Sequence, residues 1–130
     1  FRRRALAVSH WDGKLVALGG MNENRKISRR VDALDFETGE WTKLAKLPGE
    51  GMDGFGAAAC NINRKLYASG TQESLYRLSD DGKKWKAVMK LSPPRFFHRL
   101  VPGEQGYLLA VGGASEEGHL ATIEQIDPDQ

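Results

Sequence analysis

The chain has 130 residues, of which 40% are hydrophobic and 28% charged, enough for one ordinary domain with a core of its own. Nineteen basic residues against 17 acidic ones leave a net charge of +2, which argues against a chain built to grip nucleic acid or an anionic membrane. No apolar run approaches the roughly 18 residues of a membrane-spanning helix. A single cysteine, Cys60, excludes an intrachain disulfide, a zinc knuckle and a Cys-x-x-Cys redox pair.

The chain opens Phe1-Arg2-Arg3-Arg4, with neither a starting Met nor an apolar leader, and is expected to be an excerpt or a processed form of a longer protein. Ala5 to Ser9 reads as a first strand, Asp12-Gly13 as a tight turn, and Lys14 to Leu18 as the returning strand. Both are nearly continuous in apolar character, which predicts burial on both faces. Gly19-Gly20 ends the second strand, and the polar run Met21 to Arg29 reads as an exposed loop. Val31 to Phe36 alternates as a third strand. After the turn Glu37 to Glu40, Trp41 starts a fourth, with one wet and one apolar face, which stops at Leu47-Pro48.

The same order then recurs. Phe55 to Ile62, Lys65 to Ser69, Ser74 to Ser79 and Trp85 to Leu91 form a second set of four strands, with a much shorter loop after the second. Phe97 to Val101, Tyr107 to Val111 and Thr122 to Ile126 form a third set that lacks its fourth strand, with Ser115 to His119 as a loop. The apolar stretch closed by glycine appears three times: Lys14 to Gly20, Lys65 to Thr71 and Tyr107 to Gly113. Trp41 and Trp85 lie 44 residues apart. A period in the forties with four strands per unit points to the blades of a β-propeller, stacked face to face because one such sheet cannot bury both faces alone.

The ordered set resembles kelch repeats. Pro94-Arg95-Phe96-Phe97-His98 is similar to the kelch lead-in, and Arg3-Arg4 resembles it without the Pro. Gly19-Gly20 and Gly112-Gly113 match the double glycine, and Trp41 and Trp85 the fourth-strand Trp. The second unit departs, with Met52-Asp53 in place of Pro-Arg and Ser69-Gly70-Thr71 in place of Gly-Gly. The expected fold is all-β: a kelch-type β-propeller arc of four-stranded antiparallel blades, the third lacking its fourth strand. As one partial domain, the chain divides into blade 1 (3–48), blade 2 (49–92) and an incomplete blade 3 (93–130). Kelch propellers close with more blades than this, so the resemblance implies further blades from the parent chain or a second copy. By the same token Trp41 is expected to pack between blades.

Motifs for chemistry are thin. Gly49-Glu50-Gly51-Met52-Asp53-Gly54 has the form G-x-G-x-x-G, but a strand follows it rather than a helix, so it reads as a connection between blades. Asp80-Asp81-Gly82 and Asp127-Pro128-Asp129 lack the spaced oxygens and distal Glu of a calcium loop and read as turns. Arg2-Arg3-Arg4, Arg29-Arg30 and Lys83-Lys84 read as solvated edges. His10, His98 and His119 lie in distant segments, and His98 reads as a hydrogen-bonded structural histidine near the channel. Kelch-type copper oxidases need Tyr and Cys converging with His, whereas Cys60, Tyr67, Tyr76 and Tyr107 all fall on predicted strands. No metal, no cofactor and no catalytic residue is therefore expected.

What the resemblance implies for function is geometric. Loops entering the first strand and leaving the second gather at one end of a kelch channel, where ligands dock. That places Arg4, Met21 and Asn22 of unit one, Phe55, Thr71 and Gln72 of unit two, and Phe97, Ala114, Ser115 and Glu116 of unit three on a ligand-binding rim. The expectation is a non-catalytic scaffold that recognises a protein or carbohydrate partner there, with no nucleic acid and no membrane. The alternative is part of a carbohydrate-active enzyme, epimerase- or mutarotase-like or oxidase-associated, with Arg4, Arg95, His98 or Glu116 acting at the channel mouth.

Overall fold

The computed structural model describes residues 2–130, and all regular structure in it is strand apart from one 3-10 turn at Glu104–Gly106. Arg3–Arg4 (β1) pairs with Met21–Asn22 (β4). Ala7–Trp11 (β2), Lys14–Leu18 (β3), Val31–Asp35 (β5) and Trp41–Leu44 (β6) form the first antiparallel sheet, in the order β2-β3-β5-β6. Ala58–Ile62 (β7), Lys65–Thr71 (β8), Ser74–Leu78 (β9) and Trp85–Lys90 (β10) form the second, again in simple meander order. Arg99–Pro102 (β11), Leu108–Val111 (β12) and Ile123–Ile126 (β15) form a three-stranded third sheet. A small hairpin, Ala114–Ser115 (β13) with Gly118–His119 (β14), follows β12.

The sheets stack face to face with the middle one buried on both sides, as its continuous apolar strands require. Leu66, Ala68 and Leu78 join Ala7, Trp11, Val16, Leu18, Val31 and Leu47 in one core between the first and second sheets. Ala58, Cys60, Ile62, Tyr67 and Leu75 face the other way and meet Leu100, Leu108, Ala110 and Ile126. Cys60 belongs to this second core. Burial pushes its thiol up to about 11, which suits a small apolar filler and not a nucleophile.

The outer faces differ. On the first sheet Val8 and Trp41 are exposed, and on the third Val101 and Ile123. Hence β6 does not show the wet and apolar faces expected of it: Trp41, Thr42 and Lys43 are all exposed, because among the described residues no further sheet covers that side.

The first strand of each sheet starts later than its apolar pattern predicts. Ala5, Gly56 and Phe97 all adopt left-handed backbone, with φ of 54°, 68° and 54°. This interrupts the ladder ahead of β2, β7 and β11, at a cost of order 1 kcal/mol for each non-glycine. The freed groups hydrogen-bond from sheet to sheet instead. Gly56 N–H donates to Ala5 O at 3.1 Å and Phe97 N–H to Gly56 O at 2.8 Å. A register of backbone bonds thus ties the three lead-ins together at one end of the arc.

The runs Met21 to Arg29 and Ser115 to His119, expected as plain loops, also contain short pairings. In the first and third units the lead-in pairs with the segment after the double glycine, Arg4 with Met21 and Phe96 with Ala114. The second unit cannot repeat this, because β8 and β9 are joined by only Gln72 and Glu73.

Candidate binding rim

Gly19 shows why the strand must end in glycine: its φ is +67°, and an added Cβ would sit 2.3 Å from Gly54 O. A buried arginine clamps this point. Arg3 Nη1 donates to Gly19 O at 2.9 Å and Arg30 O at 3.1 Å, and Nη2 to Asp32 Oδ2 at 2.8 Å. Arg30 Nη2 holds the other Asp32 oxygen at 3.0 Å, so this 4%-exposed carboxylate has two cations. The third unit repeats the device. Arg95 Nη1 reaches Gly112 O and Thr122 O, both at 3.1 Å, with Glu124 3.7 Å from Nη2. Arg29 likewise donates to Leu47 O at 2.9 Å. The solvated-edge reading is therefore corrected for Arg3 and Arg29: the backbone carbonyls they satisfy lie inside the fold.

The second unit has no such arginine. Gly54 stands beside its glycine turn, with Gly54 N–H 3.5 Å from Gly70 O. Asp53 organises the turn instead, accepting from Glu50 N–H at 2.9 Å and Gln72 N–H at 3.0 Å, and Thr71 Oγ1 donates to Pro48 O. The G-x-G-x-x-G stretch is thus a side-chain-capped turn ahead of β7, consistent with its reading as a connection.

A short β8–β9 turn between two taller neighbours leaves a notch at the rim between the second and third sheets, with a cavity volume of about 630 Å³. That lies within the ~300–1,000 Å³ typical of recognition pockets. The notch collects Phe55, Thr71, Gln72, Phe97, Ser115 and Glu116 of the residues placed on the rim from the sequence. Arg4, Met21 and Asn22 sit at the same end of the arc but on the neighbouring β1–β4 pair, outside this lining. There Arg4 Nη2 lies 3.3 Å from Met21 Sδ.

The sequence reading missed several members: Met52, Glu73, Leu91, Pro93, Pro94, Phe96 and Glu117 also line the notch. Of these, Pro94 and Phe96 carried a signal, both standing in the lead-in with Phe97. The aromatic wall is a stack of edge contacts, Phe55 to Phe97 at 5.1 Å between centroids and Phe96 to Phe97 at 5.7 Å. Phe96 and Phe97 nevertheless remain 38% and 48% exposed.

Two of the four residues named for catalysis, His98 and Arg95, are otherwise engaged. His98 is 1% exposed and its Nε2 lies 2.6 Å from Ser69 Oγ, a bond that joins the second and third sheets. Burial first, then the nearby Arg95 and Arg99 cations, push its pKa down to about 4, so the ring is neutral near pH 7. Arg95 is 4% exposed and commits its guanidinium to backbone carbonyls. Neither presents a reactive group at the channel mouth, which corrects that placement. Among the described residues no group of three or more His, Cys, Asp or Glu is arranged to hold a metal ion, and no helix is long and apolar enough to cross a membrane.

Known proteins bear on this geometry. The Kelch motif family matches residues 2–48, the first unit with its arginine clamp and double glycine. The chain carries kelch repeats. The kelch arc is 32% identical over 123 residues to mouse (Mus musculus) Kelch-like protein 9, covering 85% of the arc and 19% of that relative. It is 26% identical over 130 residues to Kelch-like protein 38 of Rattus norvegicus, covering 92% and 22%. Alpha-scruin of Limulus polyphemus is 28% identical over 135 residues, covering 92% of the arc and 14% of scruin. The arc thus spans about a fifth or less of the length of these relatives. It also superposes on the solved structure of YjhT with a TM-score of 0.73 at 21% identity, over 92% of this chain and 41% of that one. At that identity the likeness speaks for the fold alone: a kelch-type propeller arc whose third blade lacks a fourth strand.

Proposed function

We propose that the kelch arc is a non-catalytic binding scaffold that recognises a protein partner through the rim notch between blades 2 and 3. Residues 3–48, 49–92 and 93–130 act in this reading as three blades of one partial domain, completed by further blades or a second copy. One observation carries the proposal. Phe96 and Phe97, held by an aromatic stack against Phe55, keep large exposed surfaces beside a cavity of about 630 Å³. Rigid aromatic anchors in a concave pocket are what binding hot spots are made of. The Kelch-like relatives support a scaffold role, and the structural engagement of His98 and Arg95 weighs against chemistry at this rim.

The test places a photo-crosslinking benzoylphenylalanine at position 96 and, as a control, at position 36. Phe36 is 69% exposed beyond β5, at the opposite end of the strands. Discrete protein adducts from position 96 and none from position 36 are expected. Equal labelling at both positions would remove the rim from the reading. Retention on a glycan array with no protein adduct would turn it to carbohydrate.

A further inference from the structure

The notch has a charge opposite to that of its chain. The protein carries a net charge of +2. Yet the notch is lined by Asp53, Glu73, Glu116 and Glu117 against a single cation, Arg95, whose guanidinium is already committed to Gly112, Thr122 and Glu124. Asp53 engages both oxygens with backbone N–H groups of Glu50 and Gln72. Glu73, Glu116 and Glu117 are exposed and, among the described residues, make no ion pair. Two loops therefore bring three uncompensated carboxylates to the edges of one apolar floor: Glu73 from the β8–β9 turn, Glu116 and Glu117 from the β13–β14 turn. The floor itself is Phe55, Leu91, Phe96 and Phe97.

From this juxtaposition we infer that the notch takes a basic-apolar peptide segment of a partner protein, an aliphatic or aromatic side chain seated on Phe96 and Phe97 with a flanking Lys or Arg between Glu73 and the Glu116–Glu117 pair. The inference rests on the rim reading above and adds the chemical class of the ligand. The apolar floor supplies contact area that excludes water. The carboxylates, on a wall of low polarisability, focus a negative potential into the cavity and steer cationic partners to it. A Lys or Arg head group approaching the exposed faces of Phe96 and Phe97 gains a cation–π contribution as well. An acidic segment would meet three like charges and find no free cation in the lining, which sets specificity by repulsion as well as attraction. The neighbouring rim differs: Arg2 and Arg4 occupy the blade 1 lead-in, with Arg25 and Lys26 on the loop after β4. The preference for cations is therefore local to blades 2 and 3.

The experiment is a selection of random phage-displayed heptapeptides against the protein. The recovered peptides are then measured by fluorescence polarisation on the native protein, on Glu116→Lys/Glu117→Lys, and on Phe96→Ala. The charge-reversed side chains are exposed, so folding is not at stake, and matching circular-dichroism melts verify it. Peptides pairing Lys or Arg with a large apolar residue are expected. Their association should slow about 10-fold or more in the charge-reversed protein, with a loss that shrinks at high salt, and they should also weaken on Phe96→Ala. Acidic or uncharged peptides that weaken on Phe96→Ala but are unmoved by the charge reversal would overturn the ligand class and leave the rim reading standing. Peptides indifferent to Phe96→Ala, or no peptides recovered at all, would overturn both.

Discussion

Trp41 and Trp85 hold the same place in consecutive sheets, the first residue of the fourth strand, yet their surroundings differ. Trp85 is half-buried against the core between the first two sheets, and its Nε1–H donates to Ala45 O at 2.9 Å. Trp41 is 45% exposed. The same residue in the same strand joins an inter-sheet core in one sheet and lies on an exposed outer face in the other. The comparison extends to the rim. The first unit closes its glycine turn with a buried arginine, whereas the second has Gly54 and an aspartate cap, and it is beside the second that the notch opens. A blade is thus a template whose energetics are set by its neighbours and whose function is set by where it departs from the template.

The largest expected effects separate those two tryptophans. Trp85→Ala removes core packing and a hydrogen bond and should cost about 3–5 kcal/mol in urea unfolding. Trp41→Ala, on the uncovered face, should cost under about 1 kcal/mol. Equal losses would show that both faces are covered in solution, and so that a further blade or a second copy sits on the first sheet.

The arginine clamp comes next. Arg3→Ala leaves the buried Asp32 with only one of its two cations and deprives Gly19 O and Arg30 O of their guanidinium donor, which should destabilise by about 3 kcal/mol. A change within error would mean that the backbone bonds at Gly19 hold the turn unaided. Double variants should show Arg3→Ala and Trp85→Ala adding nearly independently if the clamp and the inter-sheet core are separate supports.

His98 gives a smaller, pH-dependent effect. Its folded pKa of about 4 lies below its ordinary 6.5, so between those values the unfolded chain binds the proton that the folded chain refuses. Stability should therefore fall as pH drops from 6.5 to 4, with His98 contributing roughly 2–3 kcal/mol of the loss. His98→Gln, which keeps a partner for Ser69, should flatten that window relative to the native chain. Parallel stability curves for the two proteins would show that the junction of blades 2 and 3 opens before the ring is protonated.

Much of the fold was legible because it depends on short-range pattern. The turn at Asp12-Gly13, the strand Lys14–Leu18 ending in Gly19-Gly20 and the third strand from Val31 follow from alternation and glycine chemistry alone. The first strands of all three sheets were placed too early, since Ala5 and Phe97 carry no sign in the sequence that they adopt left-handed backbone. That conformation is imposed by hydrogen bonds between sheets. The rim residues from the second and third units converge as their loop positions imply. Glu73 and Glu117 were not legible, because a cavity depends on the relative height of loops from different blades.

The sequence by itself determined the repeat and the all-β class, because period and turn chemistry are local properties of the chain, and the end of the arc at which loops gather followed from its resemblance to kelch repeats. Only the tertiary structure decided which tryptophan is covered, that Arg3 and Arg95 are structural, and that three carboxylates from two loops share one apolar notch. Burial and charge compensation are properties of neighbours in space, and here the neighbours come from segments tens of residues apart.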